Sequence, residues 1–464
     1  MNALEKRLEY HELVMTYDNL DNIKEYKLPE GYHFEFYKNG DIDDWINIHL
    51  STGEFCNLKK SYQYFHDFYD YFIDELPKRC IFIVDDKTGE KVGTATISKL
   101  EKDEYGYGEV VDWVAIKKEY QGKGLSKPLL SRFLLLAREL GNNKILLHTQ
   151  THNWLAAKLY LDLGFEPFNI NEDIKGWEML YTLTNHPKLK GLSRIDESKM
   201  YDNDFVLIQK KLENIFGNDF TYSVWNKNGR NDVYVRNYGK DFIFKFYIKN
   251  SKAYLKQVIV EEDLNKVIEE YNKVKSPEEL LAFMDRHLRY GYVGCNSGYV
   301  YGFDDEDFGD VQYKENDWHL SSCSELLREC FGHCWNQTEL ERDWFDSHGY
   351  KTHTLFVWFY NEDETKSYPC HTYLVYEDNN KFYFFEHSDG ANKGIYEFDS
   401  LDDVINYQRE LHIKYTKSLM DLSIEEEQLI KVHEYDAKLG CNAIEFLENA
   451  INSKNLLKNG MTRK

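Results

Sequence analysis

The first third of the chain separates into short strand-like runs and longer helical ones. Tyr32 to Tyr37 and Cys80 to Val84 read as strands, followed by Val92 to Ser98 and a longer strand from Glu109 to Ile116. A helix is expected from Lys127 to Leu140, stopped by Gly141-Asn142-Asn143. The strand Lys144 to Gln150 and the helix Asn153 to Leu163 come next, closed by Gly164-Phe165. Strands alternating with helices predict an α/β domain. The polar connector Asn185-His186-Pro187-Lys188-Leu189-Lys190-Gly191 ends it, which places the first domain at residues 1–190.

Residues 191–275 read as a small α+β domain, a helix followed by a β-meander. Asn228-Gly229 between two strand-like runs is a hairpin signal, and further turns fall at Gly239-Lys240-Asp241 and Asn250-Ser251-Lys252. No chemistry is visible there, so a spacer or substrate-shaping role is the default. Ser276-Pro277-Glu278-Glu279 has the form of a helix start and opens a third, α+β domain at 276–464. Its helices are expected near 277–289, 321–331 and 334–348. Two antiparallel strands follow, His371 to Glu377 and Lys381 to Glu386, joined at Asp378-Asn379-Asn380. The whole is a multidomain chain without internal repeats.

Composition narrows the partners. The formal net charge of the 464 residues is −23, which repels nucleic acid and anionic membrane. The start carries Glu5, Lys6, Arg7 and Glu9 without an apolar core of a signal peptide, and no run approaches the ~18 apolar residues that span a bilayer. The 8 cysteines are scattered, as reduced thiols of a cytoplasmic protein would be. Few prolines and much Lys, Asn, Asp and Glu suggest a bacterial source. Against the acidic mean stands one basic island, with Lys117, Lys118, Lys123, Lys127, Arg132 and Arg138 against Glu119.

Inside that island lies Gln121-Gly122-Lys123-Gly124-Leu125-Ser126, with four residues between it and the strand end Val114-Ala115-Ile116 and directly before the helix. Glycines let successive backbone N–H groups point into one concavity, and the helix start adds its unpaired N–H groups and positive dipole end. Ser126 suits the N-cap position and Pro128 the first turn. A diphosphate is the natural guest of such a turn. The loop resembles the Q/R-x-x-G-x-G/A signature of N-acetyltransferases of the GNAT family, with Ser126 where Gly or Ala is usual. Asn153-Trp154-Leu155-Ala156-Ala157-Lys158-Leu159-Tyr160 with Gly164-Phe165 resembles that family's N-x-x-A-x-x-x-Y…G-F segment.

The resemblance covers about residues 30–170. It implies a mixed central sheet with flanking helices and acetyl-CoA as acyl donor. It also implies roles: Val114 and Ile116, about Ala115, pair by their backbone with the pantetheine arm, and Gln121 to Ser126 hold the pyrophosphate. Asn153 bonds the arm or a water, and Tyr160 protonates the leaving thiolate. Plain packing on a helix face is the competing reading for Tyr160. Acyl transfer to an ammonium also needs a base. Glu109 and Asp112 on the strand before Val114 are the candidates. Their odd spacing puts them on opposite faces, with Asp112 on the face of Val114 and Ile116. A solvated carboxylate remains an alternative for each.

A second constellation is Gly332-His333-Cys334-Trp335-Asn336-Gln337, which opens a helix. A thiol at a helix start is biased toward thiolate, a thiolate nucleophile needs an imidazole, and the imidazole needs an orienting acceptor. His371, starting one strand, and Glu386, ending the next, come side by side in a hairpin. This order resembles the transglutaminase-like branch of the papain-like fold, with Glu where Asp is usual and the aromatic after the His displaced to Tyr373. A cysteine buried as a small hydrophobe, or His387 as the ordered partner, are the plain alternatives. The spacing of Cys323, Cys330, His333 and Cys334 lacks a C-x-x-C pair, so no metal site is read there.

The sequence thus predicts an acetyl-CoA-dependent N-acetyltransferase of a small-molecule or peptide amine, fused to a thiol-dependent amide hydrolase or transferase. Two other organisations stay open. The C-terminal region is then a non-catalytic module that recruits the acetylation target, or the thiol enzyme is the main activity and the N-terminal domain senses acyl-CoA.

Overall fold

In the computed structural model, which describes residues 5–99, 109–227, 230–360, 367–436 and 438–457, the chain divides into two units. The first comprises Met1–Lys210, Asp219–Asn237 and Ile248–Ala253; the second comprises Lys211–Asn218, Tyr238–Tyr247 and Tyr254–Lys464. Residues of the middle segment 191–275 fall partly in each.

The first unit runs β1 (Glu12–Tyr17), β2 (Tyr32–Phe36), α1 (Ile42–Thr52), α2 (Leu58–Tyr69), α3 (Leu76–Arg79), β3 (Cys80–Asp85), β4 (Lys91–Lys99) and β5 (Glu109–Ile116). Then come α4 (Ser126–Glu139), β6 (Ile145–Gln150), α5 (Trp154–Leu163), β7 (Glu166–Pro167) and α6 (Ile174–Thr184). The strands make one mixed sheet in the order β2-β3-β4-β5-β6-β1-β7, in which β5 and β6 are parallel. This is the mixed sheet with flanking helices that the sequence leads one to expect. The apolar run Cys-Ile-Phe-Ile-Val of β3 is a strand buried on both faces. Ile81 and Ile83 pack into one core with Leu129 and Phe133 of α4. Cys80 and Phe82, pointing the other way, pack with Trp45 of α1 and Phe65 of α2.

Helix α7 (Asn203–Phe216) precedes the antiparallel hairpin of β8 (Thr221–Lys227) and β9 (Arg230–Asn237). The expected Asn228-Gly229 turn lies outside the described residues. Strands β10 (Lys240–Lys249) and β11 (Lys252–Gln257) follow, then α8 (Glu261–Tyr271) and α9 (Pro277–His287). Ser276 caps α9 through its side chain on the Glu279 N–H, as the Ser-Pro-Glu-Glu pattern requires.

The rest of the second unit holds β12 (Gly291–Val293), β13 (Val300–Gly302), α10 (Phe308–Tyr313), α11 (Cys323–Glu329), α12 (Cys334–Ser347), β14 (Lys351–Phe359), β15 (His371–Asp378) and β16 (Lys381–Glu386). It ends with β17 (Gly394–Phe398), α13 (Leu401–Leu419), α14 (Ile424–Glu427), β18 (Ile430–Glu434), α15 (Ala443–Ile451) and β19 (Lys454–Asn455). Six of these strands form an antiparallel sheet, β17-β16-β15-β14-β18-β19. Helix α12 lies on its centre, with Trp344 and Phe345 packed among Leu374, Tyr376 and Phe385. No helix among the described residues is long and apolar enough to cross a membrane.

Candidate active sites

The turn 121–124 is exposed, while Leu125 behind it is 1% exposed and sits in the core that anchors it. Gly122 and Gly124 have φ of 77° and 80°, the left-handed region that favours glycine. A side chain at Gly122 would meet nothing within 4 Å, and at Gly124 only Pro29 at 3.9 Å. The two glycines therefore serve backbone direction and leave an open concavity. Ser126 differs from its expected role: it is the first helical residue, Leu125 holds the N-cap position, and no side chain caps the helix. No acidic residue occupies the first turn either. The start of α4 consequently offers unpaired N–H groups and an unneutralised dipole end, the features an anion requires.

The basic island is partly spent on the protein itself. Lys117 pairs with Glu90 and Arg132 with Glu139. Lys123 lies 4.0 Å over the Tyr120 ring and Lys127 lies 5.8 Å from the Tyr26 ring, both beside the turn. The Gln121 side chain donates a 3.1 Å hydrogen bond to the carbonyl of Ile116, so it pins the turn to the end of β5.

Strands β5 and β6 are paired at Val110–Leu146 and Val111–Leu147 and part beyond that point. The opening leads into a cavity of about 680 Å³, lined on the β5 side by residues 112–116 and on the other by His148, Gln150, Asn153 and Tyr160. Val114, Ala115 and Ile116 thus flank it together with Gln121 and Ser126.

Within β5 the expected alternation breaks. Thr94 stands opposite Ala115 and Thr96 opposite Asp112, so Trp113 and Val114 together oppose a single β4 residue. This is a β-bulge, and Trp113 takes a positive φ of 44° in it. The extra residue means that Asp112 and Val114 do not share one continuous face, which corrects the simple even-spacing expectation; Asp112, Trp113 and Val114 all line the cavity. The side chain of Glu109 lies outside the described residues. Asp112 accepts a 2.6 Å hydrogen bond from Ser98 Oγ. Burial pushes its carboxyl up to about 6, against the lowering effects of that bond, a backbone N–H and nearby His148.

Tyr160 is buried, with its ring 5.7 Å from that of Phe165. Burial first and the charge of Glu54 second raise its hydroxyl well above the ordinary tyrosine range, so it stays protonated. Burial raises the carboxyl of Glu54, against the lowering effects of the Lys6 charge and the Asn153 side chain. Glu54 and His49, which also line this cavity, carried no motif; only their place between expected elements marks them.

In the second unit, Cys334 begins α12 and His333 is its N-cap, accepting from the Trp335 N–H at 3.3 Å. His371 starts β15 and Glu386 ends β16. His371 Nε2 lies 2.7 Å from Glu386 Oε2, and Glu386 is 2% exposed. Its other oxygen accepts from Ser388 Oγ at 3.0 Å and from the Asp389 N–H at 2.8 Å, so both oxygens are held. Burial opposes charge on Cys334, but hydrogen bonds and charges of His333 and His371 outweigh it and bring the thiol well below its usual range. Burial likewise opposes charge on His371, yet Glu386 and Cys334 raise it well above the ordinary imidazole range. Both shifts run in the direction that favours a thiolate beside an imidazolium. His387 occupies a separate network, 2.6 Å from Gln337 Oε1. Burial and then the charge of Cys334 raise the hydroxyl of Tyr290, a neighbour the sequence did not single out. All eight cysteines are free.

Comparison with known proteins bears on the first unit. The model of the acetyltransferase (GNAT) family matches residues 42–165. Similar solved structures include a GCN5-related N-acetyltransferase from Sphaerobacter thermophilus, 17% identical over 35% of this chain and 49% of that one, with a TM-score of 0.29. A tandem GNAT protein from the clavulanic acid biosynthesis pathway is 16% identical over 36% of this chain and 52% of its own, TM-score 0.27. A GNAT-family acetyltransferase from Colwellia psychrerythraea is 14% identical over 34% and 54%, TM-score 0.26. The match spans about half the length of each of these structures. No curated protein is significantly similar in sequence. Residues 42–165 form a GNAT acetyltransferase domain.

Proposed function

We propose that this chain is an N-acetyltransferase that moves an acetyl group from acetyl-CoA to an amine, joined to a thiol-dependent amide hydrolase or transferase. The observation that carries the first part is the continuity of the uncapped start of α4, the opening between β5 and β6, and a cavity holding Asp112 and Tyr160.

Acetyl-CoA supplies the acetyl group as a thioester. The N–H groups of the Gly122–Ser126 turn take its pyrophosphate, with Lys123 and Lys127 alongside. The edge of β5 at Val114 and Ile116, about Ala115, pairs with the pantetheine amides as an added strand would. Asp112, ionised above a pH of about 6, removes a proton from the acceptor ammonium. Tyr160 returns a proton to the departing sulfur. One N–C bond forms and one C–S bond breaks, and no acyl-enzyme is needed.

Calorimetric titration of the full chain with acetyl-CoA tests this. Saturable binding is expected, and Gly124→Glu should abolish it, since its carboxylate enters the phosphate concavity. Tyr160→Phe should lower kcat at unchanged CoA affinity. Full binding by Gly124→Glu removes the loop assignment, and equal loss of affinity and rate makes Tyr160 structural.

The second part rests on the Cys334–His371–Glu386 arrangement, read as a transglutaminase-like site in a papain-like fold. The Cys334 thiolate attacks an amide carbon, the C–N bond breaks, and His371 gives its proton to the leaving amine. Water or another amine then takes the acyl group from the thioester. Incubation with a glutamine-containing peptide library and a labelled amine, wild type against Cys334→Ala, reads this out. Ammonia release or label incorporation that depends on Cys334 is expected. Neither product, with acetyl transfer intact, makes the unit a module that recruits the acetylation target. Thiol activity without any acetyl transfer makes the first unit a sensor of acyl-CoA.

A further inference from the structure

One end of the cavity is built from rings. His49 of α1, Phe55 of the connection and Phe68 of α2 come to the bulged Trp113 of β5, with ring centroids 5.9, 4.8 and 5.3 Å from that indole. His49, Phe68 and Trp113 face the cavity, beside Thr52 and Glu54. His49 is 1% exposed, and neither of its ring nitrogens has a hydrogen-bond partner among the described residues. The same holds for Trp113 Nε1. A buried polar atom without a partner costs on the order of 1–3 kcal/mol, so three of them at one cavity end point to a guest that supplies partners.

Burial holds His49 neutral by pushing its imidazole down to about 3, so it offers one donor and one acceptor and no positive charge to repel an ammonium. The carboxylates at this end, among the described residues, are Glu54 and Asp112. Glu54 already answers the charge of Lys6, whose ammonium donates to the neighbouring Gly53 carbonyl at 2.8 Å, which leaves Asp112 for a single amino group. A polyamine asks for acidic partners spaced along its length, and an amino sugar asks for many hydroxyl partners. Ring faces and edges supply neither; they suit a flat apolar body.

We infer that the acceptor is a primary amine carried by an aromatic group, its ring lying among His49, Phe68 and Trp113 and its amino group reaching Asp112. A hydroxyl on that ring would meet the unpartnered nitrogens of His49, so a phenolic amine is favoured over its unsubstituted counterpart. The inference rests on the acetyltransferase reading of the same cavity and adds the class of acceptor.

The test uses the full chain with acetyl-CoA and follows release of free thiol. Phenethylamine, tyramine and tryptamine are compared with putrescine, spermidine, glucosamine and a lysine peptide. A kcat/KM at least about tenfold higher for the aromatic amines is expected, with tyramine ahead of phenethylamine. His49→Leu keeps the packing volume and should erase the tyramine advantage, bringing kcat/KM for tyramine down to that for phenethylamine measured on the same variant; a tyramine advantage that survives overturns the role of His49. Phe68→Ala should raise KM for all three aromatic amines. Fastest turnover of a polyamine, sugar or peptide overturns the inference and leaves the acetyltransferase reading standing. So does calorimetric binding of acetyl-CoA with no aromatic amine acetylated. Failure to bind acetyl-CoA overturns the underlying reading itself.

Discussion

Asp112 sits in β5 with Ser98 on its carboxyl and a carboxyl pKa raised from 3.8 to about 6. Two consequences have opposite signs. A base works only when ionised, so kcat/KM should rise with pH through about 6, and Asp112→Asn should remove that inflection and cost about 10²–10³-fold in rate. For stability, the native state holds this proton more tightly than the unfolded chain. The contribution is therefore fully present below 3.8 and is lost as pH rises through about 6. Above that pH, Asp112→Asn should melt no lower than wild type, and a pH series of thermal unfolding checks it. At Cys334 the prediction runs through its neighbours. Brief iodoacetamide treatment at about pH 6, read by peptide mass spectrometry, should label Cys334 ahead of Cys370, whose thiol burial and the charge of Cys334 push far up. Glu386→Gln takes away the anion that holds the His371 imidazolium, so labelling of Cys334 should slow at that pH and recover at about pH 9. Equal labelling of the two cysteines, or no effect of Glu386→Gln, would leave the triad without chemical meaning.

Helix α4 was legible as an element, because two glycines before an apolar helix set a turn and a helix start. Its detail was less so: Ser126 lies inside the helix, since Leu125 fills the core below and fixes where the helix begins. Ser126→Asp separates the two jobs of that helix start. A carboxylate in the first turn should stabilise the ligand-free protein by about 0.3–1 kcal/mol and weaken acetyl-CoA binding at least about tenfold. Thermal melting and calorimetry on the same sample read both; a variant that melts higher and binds as before dissociates the helix start from the phosphate site. Strand β1 was missed because five of its six residues are buried, and without alternation it gives no strand period. The apolar segment Thr354 to Phe359 of β14, a central strand of the second sheet, hid in the same way. The β5 bulge was illegible for another reason. Nothing in Val-Val-Asp-Trp-Val-Ala-Ile announces an inserted residue; the partner strand alone reveals it. The reciprocal order Cys, His, acid was readable because helix start and hairpin ends are set by local pattern, whereas Tyr290 and His49 reach their sites through tertiary packing.

For the whole molecule, the glycine turn before α4 and Cys334 belong to different units, each with its own sheet and core. Acetyl transfer by Cys334→Ala and alkylation of Cys334 in Gly124→Glu should therefore both match wild type within about twofold, as for sites without shared partners. A larger effect in either direction would establish coupling between the units. The bare start of α4 has a consequence for survival as well as for catalysis. On the proposed reading, the pyrophosphate of acetyl-CoA satisfies its unpaired N–H groups, so the ligand consumed in the reaction would also stabilise the fold. At a concentration one hundred times its dissociation constant, coenzyme A should add about 2.7 kcal/mol to the stability of the first unit. When the cell's pool of acetyl-CoA runs low, a protein that binds it as proposed would lose substrate and protection from unfolding together, and its abundance should follow that pool.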